Sequence, residues 1–178
     1  SNDNNYNVTN INFDDLINNE KDYDIIKMHE YFKNKEPSLK NKYTGIFKDK
    51  NLIFITGESV NINAIKKDIT PSLYMLTHNG FVFNNFYTPI YYASTSDGEY
   101  TNLTGLLPTE GTWSMIKSSN NNMKYSLPAM FKTNDYKTYA YHNNTYNFYN
   151  RDITYPNLGF EKYTACGNGL EKKINCNI

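Results

Sequence analysis

Asn51-Leu52-Ile53-Phe54-Ile55-Thr56-Gly57-Glu58-Ser59 is the stretch on which the fold turns. Leu52 to Ile55 is an unbroken apolar run of strand length, as expected for a strand covered on both faces inside a parallel sheet. Gly57-Glu58-Ser59 follows at once, at the carboxyl end, where open parallel sheets bind ligands. A membrane span would need about 20 apolar residues, far more than this run supplies.

Downstream, Thr70-Pro71 has the form of an N-cap followed by an N1 proline, and Leu73 to His78 continues as a short helix closed by Asn79-Gly80. Phe81 to Tyr87 reads as a second strand. The polar turn Tyr91-Tyr92-Ala93-Ser94-Thr95-Ser96-Asp97-Gly98-Glu99 comes next, then an apolar helical run from Tyr100 to Leu107, before Pro108. Residues 109–124 read as a loop with the single tryptophan, Trp113. Ser126-Leu127-Pro128-Ala129 opens a helix reaching Asn134. Lys137 to Tyr141 reads as a third strand ending at His142, residues 143–163 as an irregular aromatic segment, and the remainder as a tail.

Upstream, residues 1–10 are Asn-rich and expected to be frayed or extended. Residues 12–35 read as helical, with Ile25, Met28, His29 and Phe32 on one face. His29 on that stripe is expected to pack rather than to ligate. Glu36-Pro37-Ser38 ends the helix. The alternation predicts an α/β fold with a mainly parallel sheet flanked by helices. Residues 1–49 form a helical linker in this reading, and residues 50–178 a portion of an α/β domain.

Composition narrows the function classes. The 17 tyrosines and 10 phenylalanines supply large groups to bury, although mean hydropathy is −0.71. Lysine plus arginine equals aspartate plus glutamate, 18 each. Zero net charge argues against a nucleic-acid partner, which would be held by phosphate neutralisation. No secretory leader pattern is present. Cys166 and Cys176 form no CxxC pair, and with only His29, His78 and His142 a zinc knuckle is not expected. A local disulfide and two free thiols are equally compatible with that spacing.

Candidate chemistry gathers where the strands end. Ser96-x-x-Glu99 has capping-box form, which puts Thr95 at a helix mouth, where free N–H groups and the dipole favour phosphate or an alkoxide. On pattern alone an ordinary N-cap is the better reading, because Ser/Thr-x-x-Glu is common. Glu58 is either a solvated loop carboxylate or a hard-metal ligand suited to Mg²⁺ or Mn²⁺, with Zn²⁺ also accepting carboxylate. A bound metal would help make Thr95 a competent nucleophile. His142 through Asp152 offers a second cluster. Arg151 suits bidentate phosphate recognition, His142 a phosphate or polyol oxygen, and Phe148 and Tyr149 an aromatic wall. A surface loop with ordinary aromatic packing is the alternative for that cluster.

Taken in order, Gly57-Glu58-Ser59, Thr70-Pro71-x-Leu73, Phe83-x-Asn85-Phe86-Tyr87, Thr95-Ser96-Asp97-x-Glu99, His142…Phe148-Tyr149-Asn150-Arg151-Asp152 and Leu158-Gly159-Phe160-x-Lys162-Tyr163 resemble the extracellular domain of lipoteichoic acid synthases. These are glycerol phosphate transferases of Gram-positive bacteria with a sulfatase- or alkaline-phosphatase-like fold. The resemblance runs from Lys50 to Tyr163. The upstream helix resembles the linker leading from a membrane-embedded segment, which would lie outside this chain.

The resemblance implies that Glu58 and Thr95 bind a divalent metal, Mn²⁺ or Mg²⁺ before Zn²⁺, and that Thr95 is the nucleophile. It implies substrate binding by His142, Phe148, Tyr149 and Arg151. Tyr149 stands where better-known members carry tryptophan, and Asn144 where some carry aspartate. The implied reaction moves a glycerophosphoryl group from phosphatidylglycerol to a growing polyglycerol phosphate chain at the extracellular face of the cell membrane. The family completes its metal site with a late Asp-His pair that this chain lacks. The chain is therefore expected to be the N-terminal part of a longer domain, weak in metal binding and inactive alone. A phosphoethanolamine transferase on the same fold and a non-catalytic binding module are the competing readings.

Overall fold

The computed structural model describes residues 5–176, which divide into two compact units, one ending at Phe54 and the other beginning at Ile55. In the first unit, the expected helix over 12–35 is two helices, α1 (Phe13–Asn19) and α2 (Tyr23–Lys33). The break has a local cause. Glu20 accepts from the Lys21 and Asp22 amides, and Asp22 then caps α2 by accepting from Asp24 and Ile25. His29 lies against Phe13 of α1, with ring centroids 6.5 Å apart, which agrees with a packing role. Tyr6 and Leu39 form an isolated antiparallel bridge, so part of the Asn-rich segment is extended; residues 1–4 of that expectation lie outside the described residues.

The second unit contains α3 (Pro71–His78), α4 (Ser94–Thr104), α5 (Ser114–Lys117), α6 (Leu127–Lys132), β1 (Tyr139–Thr145), α7 (Arg151–Asn157) and β2 (Lys162–Cys166). β1 and β2 pair in parallel, with Ala140 opposite Tyr163 and His142 opposite Ala165. α7 lies in the connection between them, making a βαβ unit. The register slips between His142 and Thr145.

Two expected strands are corrected. Neither 51–56 nor 81–87 is a strand, and their apolar side chains are open to solvent, Ile53 at 83% and Phe83 at 77%. A strand must satisfy its amides and carbonyls on a neighbour, and the described sheet consists of β1 and β2 alone. Two further elements appear where irregular chain was expected. α7 and β2 fall within 143–166, and α5 lies in the loop around Trp113.

The core packs where the two layers meet. Tyr100 and Leu103 of α4, Met115 of α5, Tyr155 of α7, Leu158, and Ala140, Tyr163 and Ala165 of the sheet form one buried cluster. α4 stops at Gly105, whose φ of +72° gives the left-handed C-cap that glycine adopts freely. α6 starts as the sequence predicts. Ser126 accepts from the Ala129 amide and donates to the Leu158 carbonyl. Cys166 and Cys176 are joined in a disulfide, which ties the tail to the end of β2.

Gly159 lets α6 approach. It has φ +100°, and a Cβ there would sit 2.9 Å from the Ala129 backbone. Gly159→Ala therefore combines left-handed strain with a clash. It should cost about 2–4 kcal/mol, read as a lowered denaturation midpoint; an unchanged midpoint would mean that this turn yields freely.

Candidate functional site

Thr95 is the second residue of α4 and is half-buried. The capping box expected around it does not form. The N-cap is Ala93, with no side-chain cap, because both box residues are engaged elsewhere. Ser96 Oγ accepts from Trp113 Nε1 at 2.8 Å, and Glu99 points into the core. Asp97 takes over the organising task. Its Oδ2 accepts the Tyr91, Tyr92 and Ala93 amides at 2.9, 2.7 and 2.9 Å. Three consecutive amides gathered on one carboxylate oxygen fold the turn tightly, and Ser94 takes φ +32°. Asp97 is fully buried, and its Oδ1 has no hydrogen-bond partner among the described residues.

Glu99 is the hub of the buried polar network. Its Oε1 receives Arg151 Nη2 at 2.6 Å and its Oε2 receives Arg151 Nε at 3.1 Å. Tyr155 donates its hydroxyl to Oε2 at 3.0 Å. Arg151 Nη1 donates to the Phe148 carbonyl at 3.2 Å. Burial works against the Arg151 charge, but the Glu99 hydrogen bonds and carboxylate outweigh it and raise the arginine above its ordinary value. Burial, together with the Glu99 charge, likewise pushes the Tyr155 phenol upward, so it stays a protonated donor.

The turn between β1 and α7 builds an aromatic roof over this pair. Tyr149 and Asn150 have φ +58° and +52°, a conformation that asparagine tolerates and tyrosine seldom takes. The reversal stacks Phe148 on Tyr149, with centroids 4.5 Å apart, and His142 on Phe148 at 5.8 Å. The Arg151 guanidinium lies 5.2 Å from the Tyr149 ring centre and 5.8 Å from that of Phe148. Trp113 meets Tyr149 edge-on at 5.3 Å, so it bridges the Thr95 helix and the roof.

Of the six predicted site residues, four come together directly: His142, Phe148, Tyr149 and Arg151. His142 lies within β1 rather than after it, because the strand continues to Thr145. Thr95 sits four residues ahead of Glu99 on the same helix. Glu58 is exposed in a turn and joins electrostatically, its charge acting on His142. The sequence reading missed Asp97, Glu99, Trp113 and Tyr155. The available signal was a carboxylate, Glu99, set beside the apolar helical run, where only a buried partner could hold it.

Among the described residues, no group of three or more histidine, cysteine, aspartate or glutamate side chains is placed to hold a metal ion. A cation such as Mg²⁺ wants about six oxygen ligands, so Glu58 and Thr95 do not make a metal centre by themselves. A cleft of about 380 Å³ is lined by residues including Lys124, Ala129, Lys132 and Asn157 and by none of the predicted site residues. No described helix is long and apolar enough to cross a membrane.

This part of the chain matches a known family. The sulfatase family model covers residues 50–177, and the chain belongs to the sulfatase family. Among its relatives, lipoteichoic acid synthase 2 of Bacillus subtilis (strain 168) is 29% identical over 147 residues, covering 79% of this chain and 22% of the relative. Lipoteichoic acid synthase of Staphylococcus aureus (strain USA300) is 30% identical over 151 residues, covering 79% of this chain and 23% of the relative. The chain thus spans under a quarter of the length of these relatives. The crystal structure of the lipoteichoic acid synthase LtaP from Listeria monocytogenes is 32% identical, with a TM-score of 0.44, over 46% of this chain and 20% of that one.

Burial and the neighbouring Arg151 charge lower the His142 pKa below its ordinary 6.5, against the opposing charges of Glu99 and Glu58. Between the folded value and 6.5, the unfolded chain binds more protons, so stability rises with pH across that window. Stability should therefore decline as pH falls below 6.5. His142→Gln should flatten the decline just below pH 6.5, measured as denaturation midpoint against pH. Equal slopes in both proteins would refute the assignment.

Proposed function

We propose that the protein carrying this chain transfers a glycerophosphoryl group from phosphatidylglycerol to a growing polyglycerol phosphate chain, with Thr95 as the nucleophile. The observation that carries the reading is the Asp97-gathered turn that sets Thr95 at the start of α4, where the helix N-terminus favours developing negative charge. The lipoteichoic acid synthase names of the relatives support the substrate class.

In the first step the Thr95 oxygen forms a bond to phosphorus and the bond to the diacylglycerol oxygen breaks. The threonine proton goes to that leaving oxygen. In the second step the terminal hydroxyl of the acceptor chain attacks, the bond to Thr95 breaks, and the acceptor proton returns to the threonine. Arg151 would bind phosphate, His142 a phosphate or glycerol oxygen, and Phe148 and Tyr149 would wall the glycerol. A divalent cation, Mn²⁺ or Mg²⁺ with Zn²⁺ as the alternative, belongs to the proposal, with Glu58 and Thr95 as two of its oxygen ligands. In this proposal the reaction would run at the outer face of the cell membrane, reached through a segment outside this chain.

Thr95→Ala in the full-length protein should reduce polymer synthesis by about a thousandfold or more; unchanged synthesis would end the assignment. Supplying phosphatidylglycerol and phosphatidylethanolamine together and identifying the transferred head group separates this activity from phosphoethanolamine transfer.

A further inference from the structure

An arginine has five N–H groups in a rigid fork. In Arg151, three are committed: Nε to Glu99 and Tyr155, one on Nη2 to Glu99, and one on Nη1 to the Phe148 carbonyl. The bidentate grip on the Nε and Nη2 edge fixes the plane of the guanidinium. One N–H on Nη1 and one on Nη2 have no hydrogen-bond partner among the described residues, in a side chain that is 3% exposed. Tyr155 reinforces the grip, since it donates to the Glu99 oxygen that receives Nε. Of the rings above the guanidinium, Phe148 is 37% exposed and forms the outer edge of the roof.

We propose that Glu99 is a positioning residue, which by holding the Nε and Nη2 edge of Arg151 dictates that a phosphate is received by the remaining Nη1 and Nη2 N–H groups. This rests on the reading of Arg151 as a phosphate-binding group. Glu99 never touches the ligand. It lies one helical turn beyond Thr95 on α4, so the same helix that presents the nucleophile also sets the angle of the phosphate receptor.

The sign of one substitution separates positioning from simple charge balance. Glu99→Gln removes a negative charge beside the anion site, so electrostatics alone would tighten phosphate binding. Loss of orientation would weaken it. Inorganic phosphate is titrated calorimetrically into the full-length protein and its variants. Wild type is expected to bind, Arg151→Ala to lose binding, Glu99→Gln to weaken about tenfold, the worth of one charge-assisted hydrogen bond, and Glu99→Asp to recover part of the loss.

Unchanged or tighter binding by Glu99→Gln, with Arg151→Ala still defective, overturns the positioning role alone. Absence of binding by wild type, or full binding by Arg151→Ala, overturns the phosphate reading of Arg151 and the positioning role with it. Should Glu99→Gln fail to fold by circular dichroism, ¹⁵N guanidinium spectra of the wild type decide. Phosphate is expected to move the Arg151 Nη signals and leave Nε in place. Movement of Nε, meaning release from Glu99, overturns the proposal.

Discussion

The buried ion pair between Glu99 and Arg151 is the constraint on which the second unit depends. Both residues are almost completely inaccessible, and removing two charges from water is expensive unless geometry and additional hydrogen bonds compensate. Here they do: two short contacts join the pair, and Tyr155 and the Phe148 carbonyl satisfy further groups. Losing either partner would strand a charge, at about 3–5 kcal/mol. The pair also joins segments far apart in sequence, α4 to α7. It holds the helix of the candidate nucleophile against the turn that bears the aromatic roof.

Asp97 performs a similar task two residues earlier, but on the backbone. A helix that lacks a side-chain N-cap leaves its first amides and the chain before it poorly held. Asp97 holds the chain before the helix from inside it, by collecting the three amides of Tyr91, Tyr92 and Ala93. The order Ser96-Asp97-x-Glu99 is thus a row of three buried side chains with three different destinations: Trp113, the preceding loop, and Arg151. Each pulls on the first turns of α4, which fixes where Thr95 stands.

Local chemistry made part of this legible in sequence. α3 and α6 were readable because proline near the first helical position and Ser126 before Pro128 act within a few residues. The cluster His142, Phe148, Tyr149 and Arg151 was readable because its members are close in the chain. Of the three expected strands, Lys137 to Tyr141 was legible in part as β1, and the other two were not. Leu52-Ile53-Phe54-Ile55 and Phe81 to Tyr87 have strand-like side chains, but a strand exists only where a neighbour takes its hydrogen bonds. α7 and β2 were hidden among asparagines and aromatics, whose local preferences are weak and which were overridden by burial of Tyr155, Leu158 and Tyr163. Glu99 was misread because a capping box and a buried salt bridge leave the same carboxylate at the same position; only the distant Arg151 distinguishes them.

The electrostatic pattern follows from this arrangement. Arg151 is cationic but neutralised by Glu99. His142, stacked on Phe148 beside it, is kept from protonation by burial first and by the arginine second. Tyr155 is held protonated, and so is Tyr163, pushed up to about 12 mainly by burial. Near neutral pH the region therefore holds an arginine balanced by its carboxylate, phenols that stay protonated and an uncharged imidazole rather than a net positive charge. Such a surface gains little from long-range attraction of any anion and selects by the direction of its hydrogen bonds. The proposed recognition of a phosphodiester head group would draw on that selectivity.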